Sequence, residues 1–307
     1  MNNFKNFKPI EKSKFKKEYI EFRKNEFIKV EYKKNLNNKK CIIWIPGRND
    51  YFFHYHFTEK FSNYDIYSIM FKNNHARRND IIHHVDDIKE HFIEIDTLYE
   101  NYDINNYEEV ILYGHSTGGL ISVLYYKNNL KNKISKLILN SPFLKFKRHW
   151  LENFFLDYIA WYVFDFLPNI DISFNTFNTN TYMLSLSENY KINKKYKTDY
   201  DVPVISSWIV NNIKHQYKIQ LGNININIPT LVLYCDKTVK NNFSQKGDSI
   251  LHIDDNIKQL SNLFKDQTFL KLEIISNGVH DLLCADGEIN NIDTPLGKTF
   301  DTINKFL

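Results

Sequence analysis

The sequence predicts an α/β protein built on a mostly parallel, doubly wound sheet, and three observations support this. Short, continuously apolar runs recur along the chain and alternate with segments of helical periodicity, as in parallel strands joined by crossover helices. The connections between these segments are short. The chain has 307 residues, of which 43% are hydrophobic and 16% aromatic, so it can bury a large core.

The predicted elements begin with an antiparallel hairpin and continue as alternating strands and helices. Residues 18–23 and 26–32 alternate apolar and polar side chains around a Lys24-Asn25 turn, which predicts a hairpin at a solvent-exposed edge. The predicted strands are 18–23, 26–32, 41–45, 64–71, 109–113, 136–140, 231–235 and 268–275. The predicted helices are 51–61, 86–99, 118–127, 204–210, 255–264 and 294–307.

The alternation breaks between residues 147 and 222. Aromatic residues crowd into 150–166, Leu167-Pro168 ends that helical stretch, and the part that follows is polar and rich in Asn. We interpret this region as an inserted, aromatic-rich helical cap. The predicted organisation is therefore a core of residues 1–146 and 223–307 that is interrupted by a cap at 147–222.

Composition argues against several classes of protein. The net charge is only +4 and no sustained basic face occurs, so nucleic acid is not an expected partner. Cys41, Cys235 and Cys284 form no Cys-x-x-Cys pair and are interpreted as buried thiols in a reducing compartment. Residues 1–17 lack the apolar stretch of a secretory signal, and no apolar run of about 18 residues occurs. We therefore expect a cytoplasmic protein without a transmembrane segment.

The strongest chemical signal is Gly114-His115-Ser116-Thr117-Gly118-Gly119, which follows a predicted strand directly and opens a predicted helix. That context is the one that a Gly-x-Ser-x-Gly nucleophile turn requires. Small residues must flank the serine because the turn is tight, and the serine adopts a strained backbone conformation that exposes its hydroxyl. Ser116 is therefore the predicted nucleophile.

A serine hydroxyl needs a base, and the base needs an orienting carboxylate, each from a loop after a later strand. His280, just past the last predicted strand, is the predicted base. Of the aspartates after the strand 231–235, Asp248 is favoured as the acid because an apolar segment follows it, and Asp236 stays open as the alternative. Asp254 is interpreted as a charge at a helix N-terminus.

The other histidines considered are interpreted as structural: His54, His56, His83, His84, His215 and His252. No carboxylate or cysteine accompanies them at the spacing of metal ligands in the sequence. No metal site is therefore predicted.

Two backbone amides are predicted to bind the oxyanion, each contributing about 3 kcal/mol to transition-state stabilisation. One belongs to Thr117, directly after the nucleophile. The other belongs to Arg48, in the loop Pro46-Gly47-Arg48-Asn49-Asp50 that follows the strand 41–45. Nothing in the sequence requires the side chain of Arg48.

Together these residues resemble the α/β-hydrolase superfamily over nearly the whole chain from about residue 18. The inserted region, the Gly-His-Ser-x-Gly-Gly turn and the Gly-Val-His-Asp ending are most similar to the serine aminopeptidase and lysophospholipase group, which includes monoacylglycerol lipases. Residues 45–53 are similar to a His-Gly-x-x-Asp-Tyr-Phe pattern, with Pro46 where relatives often have His. The resemblance implies an α/β-hydrolase fold with about eight strands. It also supports Asp248, because an extended loop precedes the acid in this group.

The triad and the resemblance predict a serine hydrolase that cleaves carboxylic esters through an acyl-enzyme. An aromatic cap favours an apolar acyl group, as in lysophospholipid or monoacylglycerol esters. The expected partner is a small-molecule ester, and no metal or organic cofactor is implied. Two alternatives stay open: an aminopeptidase of the same family, with an acidic pocket for the free amine of its substrate, and a catalytically silent hydrolase-fold protein that binds a hydrophobic ligand.

Overall fold

An open sheet of eight strands organises the described part of the chain. The computed structural model describes residues 15–75, 84–129, 131–146, 166–167, 170–171, 192–197, 202–239 and 246–307. The strands are β1 (Lys16–Arg23), β2 (Glu26–Lys33), β3 (Lys40–Ile45), β4 (Asp65–Met70), β5 (Glu109–His115), β6 (Lys136–Asn140), β7 (Thr230–Cys235) and β8 (Leu270–Ile275). Each begins and ends within two residues of its predicted bounds.

The strand order across the sheet is β1-β2-β4-β3-β5-β6-β7-β8. Strand β2 pairs antiparallel with both β1 and β4, and all other neighbours pair parallel. The predicted fold class, a mostly parallel α/β sheet with an antiparallel hairpin at one edge, is confirmed. The carboxyl ends of β3, β5, β6, β7 and β8 consequently lie along one edge of the sheet, where ligands bind in open α/β folds.

Helices connect the strands. In the described ranges they are α1 (Tyr55–Lys60), α2 (Glu90–Asn101), α3 (Thr117–Asn128), α4 (Ser206–Gln220), α5 (Ile253–Lys258), α6 (Leu260–Leu263) and α7 (Pro295–Phe306). Helix α3 packs against β3, β5 and β6, and α7 packs against β7 and β8. The predicted helix 255–264 is two short helices, and the helix predicted at 204–210 begins at Ser206 and continues to Gln220.

Helix α1 is shorter than predicted because residues 51–53 pack with a period of two. The ring of Phe52 lies 5.2 Å from that of Trp44, whereas Tyr51 and Phe53 contact each other at 5.4 Å and belong to a separate buried cluster with Met70. Successive residues of an extended segment point to opposite sides, so residues i and i+2 share a side, whereas in a helix residues i, i+3 and i+4 share one. Residues 51–54 therefore continue the loop after β3 instead of opening the helix.

The hairpin edge also departs from simple alternation. Strand β1 is mostly exposed, but β2 is buried on both faces, including Lys29 and Glu31 at 4% exposure each. The two charges are buried together because Lys29 Nζ donates to Glu31 Oε1 at 2.8 Å, and the ring of Tyr196 lies 4.5 Å from that ammonium. Only β1 is thus a solvent-exposed strand of the predicted hairpin.

The predicted cap at 147–222 falls largely outside the described residues, and its division from the core stays a prediction. Within it the structure describes 166–167, 170–171, 192–197 and α4 with its flanking residues. The aromatic stretch 150–165 lies outside the described residues. None of the helices in the described ranges combines the length and the apolar composition that a bilayer crossing requires.

Candidate active site

Ser116 lies at the junction of β5 and α3, in a backbone conformation with φ 54° and ψ −119°. A Cβ on Gly114 would lie 2.5 Å from the Gly118 carbonyl oxygen, and one on Gly118 would lie 2.2 Å from the Ile45 carbonyl oxygen. No larger residue fits at either position while the turn keeps its shape. The glycines therefore permit the tight strand-to-helix turn that lifts the serine out of the sheet at the N-terminus of α3, where the helix dipole favours negative charge.

The structure brings Ser116, His280 and Asp248 into one hydrogen-bonded line. Ser116 Oγ lies 3.0 Å from His280 Nε2, and His280 Nδ1 lies 2.8 Å from Asp248 Oδ2. Because Asp248 is fully buried and its carboxylate accepts at Nδ1, the proton of a neutral imidazole is assigned to Nδ1. Nε2 is then available as a base for the partly exposed serine hydroxyl.

The loop after β7 fixes the Asp248 carboxylate. Its other oxygen, Oδ1, accepts hydrogen bonds from the amides of Ile250 and Leu251, each at 2.7 Å. The Val239 amide donates to the Asp248 carbonyl, and the Asp248 amide donates to the Lys237 carbonyl, each at 2.9 Å. The apolar segment that follows Asp248 thus supplies main-chain donors that orient the carboxylate.

The other two aspartates have different surroundings. Asp236 is exposed, and its Oδ1 accepts from the Asn277 amide at 3.1 Å, in the turn before His280. Asp254 lies in the first turn of α5. Of the three candidates, only Asp248 contacts the imidazole.

Arg48 and Thr117, the predicted oxyanion donors, line the same small cavity beside the nucleophile turn. Phe71, Val85, Ile88, Ile121 and Trp208 contribute apolar surface to it. The Arg48 side chain has a role that the sequence did not require, since its guanidinium donates to the carbonyls of Val202 at 2.9 Å and Pro203 at 2.7 Å. It also lies over the ring of Trp208, 5.0 Å from the centroid.

A second histidine–carboxylate pair lies next to the hydrogen-bonded residues Ser116, His280 and Asp248. His54 Nε2 and Asp281 Oδ2 are 2.6 Å apart, and both side chains are fully buried. Asp281 Oδ1 accepts from Asn140 Nδ2 at 2.9 Å, and Cys284 Sγ lies 3.3 Å from His54 Nε2. His54 and the Asp281 charge stabilise each other, and although burial opposes ionisation, the neighbouring histidines and Lys197 hold the pKa of Asp281 well below its usual range.

His54, Asp281 and Cys284 are also residue types that bind zinc, and their ligand atoms lie within 4.8 Å of one another. Two ligand atoms on a tetrahedral zinc, each about 2.0–2.3 Å from it, are separated by more than about 3 Å. The 2.6 Å contact between Nε2 and Oδ2 is instead a hydrogen-bond distance. The arrangement therefore favours a hydrogen-bonded pair.

A third buried pair joins the nucleophile turn to the loop after β3. His115 Nδ1 lies 2.8 Å from Asp50 Oδ2, and Lys197 Nζ donates to Asp50 Oδ1 at 2.6 Å. Burial alone would lower the pKa of His115, but the carboxylates of Asp281 and Asp50 outweigh it and raise that pKa. Likewise, Lys197 and His115 overcome the effect of burial and lower the pKa of Asp50.

Sequence reasoning missed these two supporting pairs. His54 and Asp281 are 227 positions apart, and Asp50 and Lys197 are 147 apart, so no local spacing connects them. The only signal was that Asp50 and Asp281 each occur within a motif that carries the family resemblance.

Comparison with solved structures supports the fold. A soluble variant of monoglyceride lipase from Saccharomyces cerevisiae, in complex with a substrate analogue, is similar with a TM-score of 0.67 and 14% identity over 95% of each chain. Monoacylglycerol lipase from Paleococcus ferrophilus has a TM-score of 0.61 and 15% identity, covering 87% of this chain and 93% of that one. Naproxen esterase from Bacillus subtilis has a TM-score of 0.56 and 12% identity, covering 95% and 91%. No curated protein matches the sequence.

The sequence itself matches one protein family across most of its length. The family described as serine aminopeptidase, S33, matches residues 37–284. That range contains Ser116, Asp248 and His280 together with Arg48 and Thr117. The chain therefore belongs to the serine aminopeptidase, S33, family of α/β hydrolases.

Proposed function

We propose that this protein is a serine hydrolase that cleaves carboxylic esters through an acyl-enzyme. The observation that carries the proposal is the line from Asp248 through His280 to Ser116, with contacts of 2.8 and 3.0 Å. A hydroxyl, an imidazole and a buried carboxylate in this order make the hydroxyl nucleophilic at neutral pH. The strained turn and the helix N-terminus at Ser116 support the same role.

In the proposed reaction, His280 Nε2 accepts the proton of Ser116 as Oγ attacks the ester carbonyl. The amides of Thr117 and Arg48 bind the oxyanion, and Asp248 stabilises the imidazolium. His280 then donates the proton to the leaving alcohol, which leaves an acyl-enzyme. Water, deprotonated by His280, hydrolyses the acyl-enzyme and restores the serine.

We infer an apolar acyl group from the surroundings of the predicted oxyanion donors. Phe71, Val85, Ile88 and Trp208 line the cavity that Arg48 and Thr117 share. The cavity is about 20 Å³, which is room for about one water, so these side chains form the apolar surroundings of the predicted donors and an acyl chain would extend beyond them. A lysophospholipid or a monoacylglycerol ester fits this chemistry, and the two lipases of similar fold are a monoglyceride lipase and a monoacylglycerol lipase.

Aminopeptidase activity is the second candidate, because the matching family carries that description. Such an enzyme must hold the protonated amine of its substrate, which calls for a carboxylate near the scissile bond. Within the described ranges, the residues that line this cavity include Arg48, His84 and His91 but no carboxylate.

The proposal is tested with a series of p-nitrophenyl esters from acetate to long acyl chains, hydrolysed by the wild type and by Ser116→Ala. Aminoacyl p-nitroanilides are measured in parallel. We expect ester turnover that depends on Ser116 and rises with acyl length. Cleavage of the anilides but not of the esters would support the aminopeptidase. Folded protein that neither cleaves a substrate nor reacts with a fluorophosphonate would contradict hydrolase activity.

A further inference from the structure

The loop of residues 46–54, which carries the predicted oxyanion donor Arg48, packs directly on the nucleophile turn. A Cβ on Gly47 would lie 3.0 Å from Ser116 Cβ and 3.1 Å from the His115 carbonyl oxygen. A side chain at this position would require its neighbours to shift by a few tenths of an ångström, so the two backbones pack closely. A small displacement of this loop would therefore change the distance between the amide of Arg48 and the oxyanion that forms at Ser116.

Asp50 connects this loop to both of its neighbours. One carboxylate oxygen lies 2.8 Å from His115 Nδ1, in the nucleophile turn, and the other accepts from Lys197 Nζ at 2.6 Å. The three side chains are 1–3% exposed. Because these side chains are buried, water does not weaken the attraction between their charges. The position of each of the three side chains therefore depends strongly on the positions of the other two.

The segment 192–197, which supplies Lys197, contacts the same loop at a second point. The Asn193 amide donates to Tyr51 Oη at 2.7 Å, and the rings of Tyr51 and Tyr196 lie 5.7 Å apart. Arg48 adds a third connection through the carbonyls of Val202 and Pro203. The loop is thus held between the nucleophile turn on one side and residues 192–197 and 202–203 on the other.

A buried ion pair contributes little net stability compared with well-packed apolar side chains, because desolvation of the two charges offsets their attraction. In some proteins the effect of such a pair is to specify one arrangement of the groups that it joins. We propose that Asp50 is a positioning residue, which uses Lys197 and His115 to set the loop of Arg48 against Ser116 in the geometry that oxyanion binding needs. This inference rests on the proposed ester hydrolysis.

The test compares Lys197→Met, Asp50→Asn and the double variant Asp50→Asn/Lys197→Met with the wild type. Lys195→Met, an exposed lysine of the same segment, is the matched control. Hydrolysis of the preferred p-nitrophenyl ester gives kcat and KM, and thermal unfolding gives Tm. The double variant removes both charges of the pair, so it leaves no lysine charge buried without its carboxylate.

We expect kcat to fall about 10- to 100-fold in Asp50→Asn and in the double variant, because a misplaced donor loses oxyanion stabilisation. KM should stay within about threefold, since substrate contacts are unchanged. The second-order rate of fluorophosphonate labelling should fall with kcat. Lys197→Met retains the contact of Asp50 with His115 and should lose less, and Lys195→Met should match the wild type.

Three results would overturn the inference. The first is wild-type kcat in a folded double variant. The second is a rise in KM with unchanged kcat, which would assign Asp50 to substrate binding. The third is failure of the double variant to fold, which would assign the pair to stability. A wild type that neither hydrolyses esters nor reacts with the fluorophosphonate would instead refute the proposed function, and the inference would fall with it.

Discussion

Two clusters at the same sheet edge contain a nucleophile, a histidine and an aspartate, yet only one has the geometry of a catalytic triad. In the first, His280 uses its two ring nitrogens for two partners, Asp248 at Nδ1 and Ser116 at Nε2. In the second, the same nitrogen of His54, Nε2, faces both Asp281 and Cys284. In a triad the imidazole accepts the proton of the nucleophile at one ring nitrogen while the carboxylate holds the other nitrogen. The His54 cluster cannot act in this way, because one nitrogen faces both groups.

The two nucleophile atoms also differ in their surroundings. Ser116 is partly exposed at the N-terminus of a twelve-residue helix, whereas Cys284 is 7% exposed and contacts the apolar cluster of Tyr51, Phe53 and Met70. Burial, together with the Asp281 charge, raises the pKa of the Cys284 thiol well above its usual value. Residue types alone therefore do not identify a nucleophile, because orientation and access decide its reactivity.

The largest expected effect separates the two clusters outright. Ser116→Ala and His280→Ala should each lower ester kcat/KM by about 10⁴-fold or more, because members of a triad act as one unit. Circular dichroism should show folded protein in both cases. Retention of most activity by either variant would remove the triad assignment.

The second effect concerns the acid. Asp248→Asn should lower kcat by about 10³- to 10⁴-fold, since the imidazole loses the partner that fixes its tautomer. Asp236→Asn, which alters only the exposed contact with the Asn277 amide, is the matched control and should stay within about threefold. Equal effects in the two variants would mean that the acid is misplaced.

In the His54 cluster, replacing the aspartate by asparagine should lower the free energy of unfolding. Asp281→Asn removes the charge that pairs with His54 in a fully buried site, and we expect the free energy of unfolding to fall by about 3 kcal/mol. Urea unfolding measures the difference. An unchanged free energy would show that the pair contributes nothing to the fold.

The lowered pKa of Asp281 makes the difference in the free energy of unfolding between the wild type and Asp281→Asn depend on pH. Because that pKa is lowered on folding, the ionised carboxylate stabilises the fold above its unfolded pKa of about 3.9, and the contribution is lost as pH falls below that value. The free-energy difference between the wild type and Asp281→Asn should thus be constant near neutral pH and shrink below about pH 4. A difference that grows on acidification would have the wrong sign.

The smallest effect is expected at Cys284. Cys284→Ala should keep ester turnover within about twofold, because no proposed step uses the sulfur, and it should cost about 1 kcal/mol of stability. In the native protein the thiol should react with iodoacetamide at least about 100-fold more slowly than in urea, as burial and a raised pKa require. A large loss of turnover would mean that the second cluster takes part in the reaction.

The sequence was sufficient for the fold because its signals are local. The strands β3, β5, β6 and β7 are almost wholly buried, and such strands appear as continuous apolar runs. The helix predicted at 51–61 was wrong in its first part, since consecutive buried aromatics carry no clear period. The directions of these aromatic side chains depend on their contacts with Trp44 and Met70, which are distant from residues 51–53 in the sequence.

The site was partly predictable for the same reason. Ser116 lies in a motif with its own local geometry, and His280 lies at a strand exit, so both could be named from sequence. Asp236 and Asp248 both follow β7, and only folding of the loop shows which one contacts the imidazole. The pairs of His54 with Asp281 and of Asp50 with Lys197 join distant parts of the chain, so their formation could not be predicted from spacing.

The reciprocal main-chain hydrogen bonds around Asp248 affect how this loop can accommodate insertions and deletions. They close the chain between Lys237 and Asp248, so the position of the acid depends on the two ends of the excursion and not on its length. Loop lengthening costs little closure entropy, about 0.6 kcal/mol for each doubling. A peptide tag inserted between Val239 and Lys246 is therefore expected to leave the acid in place.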